Sequence, residues 1–200
     1  GGDSTPLTGG AISVATGEGT ATTSGAFVVR TVNAGTKGVS GMLAFISGTT
    51  SSGTSGSITM ATGKAVNGKG GDILVSIGSG NAGNGGDILL YSGEMSDKSG
   101  GSISLSSGYG STTSSGVIVF QSVNAGNAGS SGMLAFKSGT TSSGASGSIA
   151  ISTGVATGGE GGDILVKVGT SSTNSGGDII IEGGDSTPLT GGAISVATGE

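Results

Sequence analysis

The sequence predicts an all-β fold, a parallel β-solenoid (β-helix) with 15–16-residue coils and two short passes per coil. Three observations predict it. Gly opens a repeat of the form Gly-x-apolar-x-apolar-x-(Ser/Thr)-Gly at Gly10, Gly25, Gly41, Gly56, Gly71 and Gly86, and again at Gly101, Gly116, Gly132, Gly147, Gly162, Gly177 and Gly192. Apolar residues at i and i+2 with β-branched enrichment have the period of a strand. Gly recurring every seven or eight residues excludes a helix, because each costs about 0.8–1.0 kcal/mol in a helix interior.

Positions are numbered from 1 at each opening Gly. Position 3 is apolar throughout, in Ile12, Phe27, Leu43, Ile58, Ile73, Ile88, Ile103, Ile118, Leu134, Ile149, Ile164 and Ile179. In a solenoid these residues stack into an aliphatic core ladder. Position 8 is a second Gly, except in the two 16-residue repeats, which start at Gly25 and Gly116 and carry Val32 and Val123 there. Gly tolerates positive φ, so positions 1 and 8 are the expected bends. Two bends leave two passes of about seven residues, each spanning roughly 20–23 Å. The second pass then returns the chain to where the first began. Successive coils would lie about 4.8 Å apart, and the extra residue of a long repeat would enter as a bulge at the bend. An antiparallel meander is the rival arrangement. The nearly constant phase of consecutive repeats and the lack of consistent hairpin dipeptides favour the solenoid.

The repeat is hierarchical. Residues 10–100 align without gaps on residues 101–191, with 48 identities in 91 positions, and the 16-residue repeats coincide. Gly1–Glu18 recurs letter for letter as Gly183–Glu200, two such blocks later. Residues 1–200 are therefore expected to be one continuous array, a window on a longer tandem repeat. A coil buries about two large apolar side chains, worth roughly 1.5–3 kcal/mol each. Ordering one backbone residue costs about 1–2 kcal/mol, so a lone coil is unstable and stability must come from neighbours.

Composition narrows function by exclusion. Among 200 residues, 47 are Gly, 35 Ser and 24 Thr, while His, Cys and Trp are absent. Catalysis by His or Cys, zinc or iron–sulfur ligation by those residues, and disulfides are excluded. No nucleophile–base pair suggests an enzyme. A net charge of −5 lacks the basic footprint of a nucleic-acid binder. No apolar run approaches the length of a membrane-spanning helix. The mixed Ser, Thr and Ile at position 7 does not make the flat Thr array of an ice-binding face.

Two features suggest surface chemistry. Met42, Leu74 and Leu89, with their counterparts Met133, Leu165 and Ile180 one block later, are apolar at outward positions 2 and 4. They are read as lateral contacts between solenoids in a fibre, against the plainer reading of ordinary exposed apolar residues. Their axial step would be about 29 Å for six coils. Asp72, Asp87, Asp163 and Asp178 occupy position 2 in adjacent repeats, where stacked carboxylates repel unless neutralised. Lys69 and Lys98 flank the first pair and are placed to screen it. Gly158–Val166 reads GGEGGDILV and resembles the RTX nonapeptide, which would make these Asp residues weak Ca²⁺ candidates. Asp accepting backbone N–H bonds, or simple solvation, is the plainer reading. No other cofactor is expected.

GGDIxxxSG alternating with SGSIxxxSG resembles the long Gly/Ser/Thr-rich repeat proteins of extracellular fibres and appendages, such as the shafts of algal flagellar hairs (mastigonemes) and bacterial repeat adhesins. The resemblance is one of style and period. It implies a structural filament subunit outside the cell or on its surface, whose partners are copies of itself. A Ca²⁺-stiffened adhesin stalk and a functional cross-β amyloid are the alternatives.

Overall fold

A computed structural model describes residues 8–187 and 189–199. The recurrent ends read from the sequence, residues 1–7 and Glu200, lie outside the described residues. The chain divides into two bodies, Gly1–Ser102 and Ile103–Glu200. The division falls within two residues of the boundary between the 91-residue blocks.

The expected β-solenoid is not there. Among the described residues there is no β-strand and no helix, and the chain is coil punctuated by bends. No residue is buried, apolar or polar, among those described. Ile12, Phe27, Leu43, Ile58, Ile73 and Ile88 in the first body form no covered ladder. Neither do Ile103, Ile118, Leu134, Ile149, Ile164 and Ile179 in the second, where even Ile118 is 46% exposed. The accessible surface is 19861 Å² for 18.4 kDa. A compact chain of that mass would expose about 8,200 Å², and an unfolded one about 26,700 Å².

The physical reason lies in the repeat itself. Ile, Leu, Val and Phe make up 42 of 200 residues, against 47 Gly. Two large apolar side chains per repeat stand against the ordering of the whole repeat. Several of its residues are Gly, which loses the most freedom on folding. Within one chain that balance favours coil.

Local order survives at one place in each repeat. A three-residue bend occurs at residues 20–22, 36–38, 51–53, 66–68, 81–83 and 96–98 in the first body. In the second body it occurs at 111–113, 127–129, 142–144, 157–159 and 172–174. These are positions 11–13, moved to 12–14 in the two long repeats. Each repeat thus has one bend rather than two, and the extra residue of a long repeat enters ahead of the bend. Positive φ occurs at the bends, at Gly38 (137°), Gly53 (107°), Gly83 (79°), Gly144 (110°) and Asn67 (60°). The sequence pattern places it instead at positions 1 and 8. Asn tolerates this left-handed conformation better than other side chains.

Each bend is the tip of a loop whose ends come together. Gly25 N–H donates to the Gly17 carbonyl (3.1 Å), and Gly101 N–H to Gly93 (2.9 Å). Gly116 donates to Gly108 (3.0 Å) and Gly192 to Gly184 (2.7 Å). All four join position 8 to the next position 1. The same closure brings position 1 against the preceding position 7, a side chain of Ser, Thr, Ile or Val. A Cβ on Gly86 would lie 2.9 Å from Ile77 Cγ2, and one on Gly177 3.0 Å from Val168 Cγ1. At Gly86 and Gly177 a neighbouring side chain occupies the space a Cβ would need, whereas at Gly56 and Gly147 the nearest atom lies at an ordinary 3.6 Å.

Side chains fix some bends as well. Thr50 Oγ1 accepts from Ser52 N–H (3.3 Å) and donates to the Ser52 carbonyl (2.9 Å). Thr141 and Ser143, the equivalent pair in the second block, repeat this at 3.3 and 3.0 Å. Such local bonds offer the backbone an alternative to a ladder.

Candidate functional site

The outward apolar residues and the position-2 carboxylates are the chemistry-bearing features named from the sequence. Met42, Leu74 and Leu89 in the first body are exposed, as are Met133, Leu165 and Ile180 in the second. They do not stand apart from the rest of the surface, because position 3 and position 5 side chains are exposed too. A gradation remains nevertheless. From Leu43 to Ile194, position 3 is 46–58% exposed, whereas Leu74 and Leu165 at position 4 reach 86% and 84%. From Leu43 onward position 3 is thus the more sheltered, while position 5 overlaps position 4, with Leu90 70% exposed against 65% for Leu89.

Of the four Asp residues, Asp72 has a partner. Lys69 Nζ donates to Asp72 Oδ2 at 2.9 Å, the single ion pair among the described residues. Both side chains are more than three-quarters exposed, so solvent screens the pair strongly. Lys69 thus sits where the sequence placed a screening cation. Among the described residues no three Asp or Glu side chains come together to hold a metal ion. The resemblance to a Ca²⁺ nonapeptide gains no geometric support. No described helix is long and apolar enough to cross a membrane.

A shallow open groove at Arg30, Thr31, Val32 and Asn33 follows the start of a long repeat. It brings no acid, base or nucleophile pair together.

The closure between position 7 and the next position 1 is a feature that the sequence reading misses. Its signal is present: a Ser, Thr or β-branched residue followed nine residues later by Gly, as in Thr62 with Gly71 and Thr153 with Gly162. The two glycines of a repeat look like equivalent bend formers in the sequence. In the structure they differ, since the space around Gly78 and Gly169 at position 8 is open.

No protein-family model, curated protein or solved structure matches this chain.

Proposed function

We propose that this chain is a non-enzymatic structural subunit of an extracellular or cell-surface filament, built by association of copies with one another. One observation carries the reading. Apolar side chains recur in every repeat, yet the single chain buries none of those described. An apolar stripe left open along so many repeats favours association.

Backbone chemistry argues the same way. Among the described residues, four backbone–backbone hydrogen bonds occur, all of them loop closures. The described N–H and C=O groups of positions 2–6 have no backbone partner within the chain. Unpaired, extended, apolar segments template pairing with another chain. Association between copies satisfies those groups and covers positions 3 and 5 in one step. With no Cys among these residues, no disulfide joins them to another copy. The repeat style shared with fibre and appendage proteins supports a place outside the cell.

Sedimentation against concentration tests this. Purified chain is expected to stay in the supernatant when dilute and to pellet above a threshold concentration. A chain that stays monomeric at every concentration up to millimolar would overturn it.

A further inference from the structure

The repeat lengths restrict how two copies can lie along each other. This rests on the self-association reading above. In a parallel pair, a stagger of one ordinary repeat aligns neighbouring repeats except where a 16-residue repeat of one copy lies on an ordinary repeat of the other, which puts one repeat in six out of phase by one. A slip of one residue moves every side chain to the other face. The long repeats begin at Gly25 and Gly116, 91 residues apart. Position 3 therefore stays on position 3 along the whole overlap at staggers of zero or of whole 91-residue blocks.

Charge separates these choices. Residues 10–100 carry five basic and five acidic side chains, a net charge of zero. Residues 101–191 carry two basic and five acidic, a net charge of −3. Zero stagger lays the acidic block on itself and like charges on like. A one-block stagger lays the acidic block on the neutral one and keeps three acid-on-acid pairs, Asp72 on Asp163, Asp87 on Asp178 and Glu94 on Asp185, where zero stagger sets all ten charged residues of 10–100 on themselves. The sharpest difference is at position 14 of equivalent repeats, Lys69 in one block and Glu160 in the other. Lys69 reaches Asp72 at 2.9 Å. Glu160 stands three residues before Asp163 in the same way, but as a like charge. At zero stagger, Lys69 meets Lys69 and Glu160 meets Glu160. At one block, the Lys69–Asp72 pair of one copy lies along Glu160 and Asp163 of the next, and the lysine is shared among three carboxylates.

We propose that copies associate in parallel with a stagger of one 91-residue block, residues 10–100 of one copy along residues 101–191 of the next, Lys69 facing Glu160. Such an offset is heterologous and does not close.

The absence of native Cys allows a direct test. Ser57 and Ser148 are both exposed, both at position 2, and 91 residues apart. Full-length S57C and S148C are assembled separately and as an equal mixture, oxidised, and read for disulfide-linked dimers. The mixture is expected to cross-link several-fold more than either variant alone. Self-cross-linking of S57C as strong as in the mixture, or no cross-link in any sample while the chain still pellets, overturns the stagger and leaves the self-association reading standing. Failure of every sample to pellet removes that reading, and the stagger with it. A charge swap supplies a second readout. K69E and E160K are each expected to raise the threshold concentration about two- to fivefold, the range of an exposed ion pair, and K69E/E160K to restore it. Unchanged single variants, or a double variant as weak as the singles, contradict the stagger.

Discussion

Gly116 donates its backbone N–H to the Gly108 carbonyl at 3.0 Å, and one block earlier Gly25 makes the same bond to Gly17 at 3.1 Å. Two sequences that differ at many intervening positions, such as Glu18 against Tyr109, close the same loop. What they share is Gly17/Gly108, Gly19/Gly110 and Gly25/Gly116, together with Thr22/Thr113 and Ser24/Ser115. The glycines common to all four closures are the two that make the bond, since Met95 and Ser186 stand where Gly19 and Gly110 do.

Gly19 and Gly110 are the most demanding of these positions. A Cβ on Gly110 would lie 2.5 Å from the Ser114 carbonyl oxygen, a backbone atom with no flexible end to yield. Nothing lies within 4 Å of a Cβ on Gly108. G110A is expected to break the loop and expose the Gly116 amide to solvent exchange. G108A is expected to leave that amide as it was. Amide exchange rates by NMR check both, and equal effects of the two substitutions would contradict the glycine account.

Asn67 holds φ at 60° in the bend at 66–68. A β-branched residue there faces a cost of roughly 1–2 kcal/mol, whereas Gly faces none. N67V is expected to lose the positive φ and N67G to keep it. The amide–α-proton coupling constant at residue 67 reports φ directly. A positive φ retained in N67V would show that something other than the residue type sets the bend.

Ile118 is the least exposed of the position-3 residues. If copies cover this side of the chain, Ile118→Asp puts a carboxylate into an apolar contact and forfeits about 1.5–3 kcal/mol of burial. The threshold for pelleting should rise about tenfold or more. Ser115→Asp, in the adjacent loop, should change it far less. Similar thresholds for the two would place the contact elsewhere on the chain.

No cluster of three carboxylates occurs among the described residues. Chelation of divalent cations is accordingly expected to leave both the threshold and the assembled material unchanged. Dissolution by EDTA, reversed by added Ca²⁺, would favour the adhesin-stalk alternative named from the sequence.

Much of the periodic framework is legible in the sequence. The repeat spacing reappears as one bend per repeat, and the lengthened repeats at Gly25 and Gly116 reappear as bends displaced to 36–38 and 127–129. Of the apolar pattern, only a relative shelter of position 3 is visible, as in Ile118 and Leu134 against Leu165. What the pattern misjudges is closure of one coil onto the next. An i, i+2 pattern identifies a face that gains from being covered, but it does not identify the covering partner. Ile73 and Ile88 look alike whether they pack on each other or on another molecule. Deciding between these requires the balance of burial against chain entropy, and two apolar side chains in a Gly-rich repeat leave that balance unfavourable within one chain. The metal reading of Asp163 depends on a nonapeptide pattern that Gly-rich sequence supplies readily, without the further carboxylates a cation needs.

The central claim is that the apolar face is covered by other copies and not by the chain itself. Hydrogen exchange at the backbone amides of positions 3 and 5, compared between dilute and pelleted protein, tests it most directly. Exchange at Ile118 and Phe120 is expected to be fast in dilute chain and strongly slowed in the pellet. Equal slowing at every concentration would mean that the chain shelters these residues alone, and would contradict the account.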